Sequence, residues 1–195
     1  MTKEAKNGGE WRDRPWRIAV WGVAALLLVL PLVAMQFTDE VAWNGADFIV
    51  FGTMLAVAYG IFELTARMTG SITYRAAVGV AVATAFLLIW VNLAVGFLGN
   101  EDNSANLMFG GVLATTIVGS IIARFRPADM AKAMYATTAA QVLAGVIALA
   151  AGLGSGGSDG LYEVVMGTSL FATLWLVSAR LFRKAGVSAA LAAKL

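Results

Sequence analysis

Residues 130–153 read MAKAMYATTAAQVLAGVIALAAGL, and from Ala133 to Leu153 they carry no charge over 21 positions. At about 1.5 Å of rise per residue such a helix covers the roughly 30 Å of a bilayer's hydrocarbon. A segment of this kind predicts a membrane span, and helix is required there because unpaired backbone groups cannot face lipid. Working outward, five more apolar segments are near the length of a span: Ile18 to Gln36, Ala46 to Ala66, Ala76 to Leu98, Ala105 to Ala123 and Leu161 to Phe182, the second and last of them with charges toward their ends (Asp47 and Glu63; Glu163 and Arg180).

The composition agrees. The chain has 195 residues, 59% of them apolar and 13% charged, where soluble domains hold about half and about a quarter. Its mean hydropathy is +0.77.

Charge between the spans gives an orientation. All 14 basic residues fall in four places: the N-terminal tail, the Arg67 to Arg75 connection, the Arg124 to Lys132 connection and the C-terminal segment from Arg180. The other side holds Asp39, Glu40, Asp47, Glu101, Asp102, Asp159 and Glu163, with no base. The positive-inside rule then puts both termini in the cytoplasm. The expected fold is an all-α, polytopic membrane bundle of six transmembrane helices arranged as three antiparallel hairpins. Residues 1–17 form a basic cytoplasmic tail, 18–183 the transmembrane domain and 184–195 a second cytoplasmic tail. The basic start followed by an apolar run reads as an uncleaved anchor, since no small-x-small site follows Leu32.

Composition also excludes chemistry. The chain has no His and no Cys, which closes haem on axial His or Cys, iron–sulfur clusters, zinc on imidazole or thiolate, and Ser-His or Cys-His nucleophiles. None of the lysines lies in mid-span, so no retinal-type Schiff base is available. No cofactor and no nucleic-acid partner is expected, because topology accounts for the basic residues.

Helix ends are signposted. Asn44 with Asp47 resembles a capping pair at the second helix start. Pro127 and Asp129 suit the first turn of the fifth, where a missing donor costs nothing and negative charge meets the dipole. Pro31 is expected to bend the first helix near its outer end. Trp16, Trp21, Trp43, Tyr74, Tyr135 and Tyr162 fall at predicted interfaces, whereas Trp90 and Trp175 lie deeper. Similar words open the even-numbered helices (Asp47 then Gly52, Asn106 then Gly111, Glu163 then Gly167 and Thr168), and Ala-Arg closes each. They are compatible with a threefold hairpin repeat or with topology alone.

Membrane helices approach one another through small residues, and the chain is rich in them. Gly52, Ala56 and Gly60 recur on the second helix, Gly111, Thr115 and Gly119 on the fourth, and Ala136, Ala140, Ala144, Ala148 and Gly152 on the fifth. Four intramembrane polar residues, Tyr59, Glu63, Asn92 and Gln141, are candidates for function. Against that reading, Glu63 stands four before Arg67, the spacing of a helix-surface ion pair, and Asn92 and Gln141 suit interhelical hydrogen bonds. Glu101 and Asp102, with Asp39 and Glu40, are the candidate oxygen ligands for a hard cation, although the first pair equally suits a solvated loop capped by Asn103 or Ser104.

Two stretches carry a resemblance. Thr38-Asp-Glu-Val-Ala-Trp43 and Glu101-Asp-Asn-Ser-Ala-Asn106 resemble a group of small, uncharacterised bacterial multi-span membrane proteins. That group carries a Thr-Asp-Glu-Val-x-Trp word at the end of the first span and Glu-Asp-Asn-x-Ala-Asn before the fourth. Ala42 and Ser104 stand where the group has Asn and Pro. The resemblance implies a multi-pass protein of the bacterial inner membrane and supplies no substrate, cofactor or catalytic residue. The functional expectation is a non-catalytic accessory or scaffold subunit, packing as a homo-oligomer or in a larger membrane complex with lipid around it. The alternatives are a permeation path for a cation or small solute along Tyr59, Glu63, Asn92, Thr115 and Gln141, and a metal-assisted membrane enzyme or a lipid or pigment binder.

Overall fold

The computed structural model describes residues 10–38, 42–99, 102–154 and 158–193. Among them are six α-helices and no strand: α1 (Glu10–Ala34), α2 (Gly45–Met68), α3 (Ile72–Ala94), α4 (Met108–Ile122), α5 (Pro127–Ala150) and α6 (Ser158–Ala192), with a short 3-10 helix, Ser104–Leu107, leading into α4. Five apolar stretches are long enough to cross a bilayer: Gly45–Thr65, Ile72–Ala94, Ser104–Ile122, Pro127–Ala150 and Gly160–Ala192. In α1 the apolar stretch is Gly22–Ala34. The chain is therefore a helical bundle of membrane type.

Two compact units divide it, Met1–Val57 and Ala58–Leu195. In the first, Leu28 of α1 lies 3.8 Å from where a Cβ on Gly52 of α2 would sit. The predicted cap of α2 forms: Asn44 Oδ1 accepts from Ala46 N at 2.7 Å while Asp47 Oδ2 accepts from Asn44 N at 2.7 Å. Two free donors at a helix start are thereby satisfied reciprocally. Trp43 packs edge-on against Phe48 and Phe51. Helix α1 runs through Pro31 to Ala34, so the proline costs a single donor in the last turn and does not end the helix early.

In the second unit the helices lie in the spatial order α3, α6, α5, α4, and α3 and α4 barely meet. Four contacts mark the three helix pairings. Gly145 and Ala128 of α5 face Thr168 and Gly186 of α6; Gly119 of α4 faces Ala133 of α5; Ser178 of α6 donates to the Ala77 carbonyl of α3 at 2.9 Å. The third predicted hairpin is thus zipped along its length, whereas the second is open, its two helices packing on α6 and α5 instead. These two hairpins do not pack equivalently, and similar sequence words do not make them structural repeats.

Several predicted boundaries need correction. The third span was expected to reach Leu98, yet α3 ends at Ala94. Gly96 takes a left-handed φ of 79° and its N–H bonds the Val91 carbonyl at 2.9 Å, a glycine C-terminal motif that stops the helix. Phe97 and Leu98, freed from the helix, turn inward and are buried; Phe97 lies against Phe109 and Phe171. At the other end, the segment read as a cytoplasmic tail, 184–195, continues α6 as helix to Ala192. At 35 residues this helix is about 52 Å long, so it overruns the hydrocarbon by several turns.

The buried seam of α5 keeps part of the predicted alanine row, Ala144 and Ala148, and leaves it toward the N-terminus. Ala136 is exposed and Ala140 half-buried, while Ala133, Thr137, Gln141 and Gly145 form the row that packs, flanked by Met130, Met134, Ala144 and Ala148. Both rows have a four-residue period, and in a chain this rich in alanine the period alone does not choose the face.

Candidate functional site

The core of the second unit contains a polar layer. Thr84, Thr137, Gln141 and Ser178 are each at most 1% exposed, and three of the four are satisfied by backbone. Thr84 donates to Val80 O at 2.7 Å, Thr137 to Ala133 O at 3.1 Å, and Ser178 to Ala77 O. Thr116 of α4 adds a bond to Thr137 Oγ1 at 3.2 Å.

Gln141 differs. Neither its Nε2 nor its Oε1 has a hydrogen-bond partner among the described residues, and the same is true of Thr168 Oγ1 and Trp175 Nε1. All three side chains sit on the α5–α6 seam. Because the helices are antiparallel and Gly145 meets Thr168, one turn back from Gly145 is level with one turn forward from Thr168. Gln141 therefore shares a stratum with the Phe171 to Trp175 turn, and the Trp175 side chain leans toward it, since side chains tilt to the helix N-terminus. The layer holds donors and acceptors but no titratable group. It can bond to a neutral polar group and cannot carry a proton as acid or base.

The other predicted site residues do not join this layer. Glu63, its side chain 22% exposed, accepts from Arg67 Nε and Nη2 at 2.9 and 2.8 Å, the i,i+4 pair expected of it. Asn92 is half-buried and bonds its own helix, Nδ2 to Leu88 O at 2.7 Å, while its Oδ1 has no hydrogen-bond partner among the described residues. Thr115 bonds back to Gly111 O at 2.8 Å. Tyr59 is half-buried on α2, with its hydroxyl oxygen covered. Each is engaged locally or on another helix face, and only Gln141 reaches the core.

At the predicted outer end, Asp39, Glu40 and Glu101 lie outside the described residues, and Asp102 is exposed. No group of three His, Cys, Asp or Glu able to hold a metal occurs among the described residues. The amides of this loop have structural work. Asn103 Oδ1 caps the 3-10 helix by accepting from Ala105 N at 3.0 Å, while its Nδ2 donates to Leu98 O at 2.9 Å and Leu153 O at 3.4 Å. Asn106 is 9% exposed and accepts from Leu98 N at 2.8 Å. These bonds satisfy the backbone that the early end of α3 leaves open, and they tie the α3–α4 connection to the α5–α6 connection.

Sequence reasoning missed three positions. Thr168 appeared only as part of a helix-start word, Tyr74 as an interface aromatic, and Phe97 as the last turn of a span. Tyr74 is buried; its hydroxyl donates to Phe125 O at 2.6 Å and its ring stands edge-on to Phe182 with centroids 5.1 Å apart. No local signal would have found these contacts, which join residues 51 and about a hundred positions apart.

No protein family, curated protein or solved structure matches this chain.

Proposed function

We propose that the chain is a non-catalytic multi-pass subunit of the bacterial inner membrane, with both termini cytoplasmic, that packs with a second copy or a larger membrane complex. The observation that carries this reading is the outer face of α4. A Cβ added at Gly110 or Gly111 would meet nothing within 4 Å, whereas one at Gly119 on the same helix would stand 3.0 Å from the Ala133 Cβ. Ala114 and Val118 extend the open face. Small residues on a membrane helix let another backbone approach closely, and lipid chains gain nothing from that notch. The resemblance to small bacterial membrane proteins supports the compartment, and the sorting of all 14 bases supports the orientation.

A permeation path is the rival. Of its five residues, only Gln141 lies in the core, so that reading rests on one amide. The test is the mass of the protein in mild detergent and in nanodiscs. The proposal expects an oligomer or a stable companion, lost when Gly110 and Gly111 are both replaced by Leu while helicity is kept. A wild-type chain that is monomeric and unaccompanied in both media overturns it.

A further inference from the structure

Tyr74 gathers three chain segments at the basic end of the second unit: the start of α3, the α4–α5 turn through Phe125 and the last third of α6 through Phe182. The residues beside these anchors are cationic. Arg124 and Arg126 flank Phe125, Arg183 and Lys184 follow Phe182, and all four are exposed. The acids at this end among the described residues are engaged, Glu63 by Arg67 at 2.8 Å and Asp129 by Lys132 at 2.9 Å, with Arg126 acting on Asp129 more weakly from farther away. None of the four cations has a carboxylate within 4 Å among the described residues. The turn is held in an expensive shape. Arg124 and Phe125 both take left-handed φ, 48° and 58°, a conformation unfavourable for a non-glycine residue, and the bond from Tyr74 helps to hold it.

We infer that this end is a binding site for an anionic phospholipid whose headgroup carries two phosphates. Guanidinium forks match phosphate oxygens in pairs. Arginines on the turn and cations on α6 form two positive arms joined through Tyr74, which suits two linked phosphates better than one. Basic pockets between membrane helices on the cytoplasmic side recognise such headgroups. The occupant is a lipid rather than a free anion because apolar surface adjoins the charges: Ile121 and Ile122, 63% and 75% exposed, close α4, and Phe125, 51% exposed, stands between the arginines on the turn. Acyl chains would lie on them. The site does not depend on the oligomer proposed above.

Native mass spectrometry of the whole protein in detergent tests this. The probes are diphosphatidylglycerol, phosphatidylglycerol at matched phosphate, phosphatidylcholine and inorganic pyrophosphate. Diphosphatidylglycerol is expected to be retained about tenfold more tightly than phosphatidylglycerol, a difference of about 1.4 kcal/mol. Arg124→Gln with Arg126→Gln should abolish that preference, and Arg67→Gln, at a guanidinium already paired, should leave it. Arg124→Lys keeps the charge, removes the fork and should lower the preference in a protein whose fold is undisturbed. Equal retention of the two anionic lipids, a preference that survives the double replacement, or displacement of the lipid by pyrophosphate would overturn the inference.

Discussion

Gly145 of α5 and Thr168 of α6 occupy one another's space: a Cβ built on the glycine would fall 2.9 Å from the Cβ of Thr168 and closer still to its Oγ1 and Cγ2. The position is tighter than the Gly186–Ala128 contact at the other end of the same helix pair, where a Cβ would stand 3.2 Å from the nearest atom. Gly145→Val should therefore force the helices apart and cost about 1–3 kcal/mol, the usual range for overpacking a close-packed interior. Gly60→Ala, at an open position on α2 where an added Cβ meets nothing within 4 Å, should change stability by less than about 1 kcal/mol and in the favourable direction, because glycine is a poor helix residue. Unfolding in mixed micelles with increasing SDS measures both. A Gly145→Val protein as stable as wild type would show that the seam is looser than its geometry says.

Gln141 sets up a prediction of opposite sign. A buried amide with neither atom paired costs about 1–3 kcal/mol, while an apolar side chain of similar length loses nothing there. Gln141→Leu is expected to raise stability by about 1–2 kcal/mol, whereas Gln141→Glu should lower it sharply by burying a charge. The same SDS titration decides: a destabilised Gln141→Leu protein means the amide has a bound polar partner in the membrane.

The degree to which this fold was legible follows from what each residue does. Spans were readable because a charge-free run such as Ala133 to Leu153 has one outcome in lipid. Caps were readable because Asn44, Asp47 and Pro127 act on backbone within three positions. Faces were not, since an alanine row at 136, 140, 144 and 148 and the mixed row at 133, 137, 141 and 145 have the same period. The early end of α3 was hidden because Gly96, in an apolar context, looks like any packing glycine. The inward turn of Phe97 is made favourable by Phe109 and by Gly167 and Phe171 of α6, the last two about seventy positions away. Of the candidate site residues, the Glu63–Arg67 pair was legible from spacing, and the orphaned state of Gln141 was not, because it depends on what α6 places opposite.

Tyr74→Phe removes the donor to Phe125 O and leaves a carbonyl in a strained turn without its partner. The loss should be about 1 kcal/mol, the ordinary worth of such a bond. The turn should loosen before the bundle does, since two left-handed residues then lose a tether. Limited trypsin digestion in detergent should cut after Arg124 or Arg126 several times faster in the variant than in the wild type. Unchanged cleavage would mean that packing of Phe182 alone holds the turn.

The orientation admits a direct test because the chain has no cysteine of its own, so single replacements need no background removal. Asp102 is exposed on the α3–α4 connection and Ser188 is exposed on the overrunning part of α6, where its hydroxyl bonds Lys184 O at 3.1 Å. In intact cells a membrane-impermeant maleimide should label Asp102→Cys and spare Ser188→Cys until the membrane is opened. Because the six-span reading puts all fourteen bases on one side, an inverted protein would have to carry all of them across the membrane, against the bias that sets topology. Labelling of both cysteines from the same side would break the six-crossing reading itself, because α4, α5 and α6 lie between them and three crossings require opposite faces.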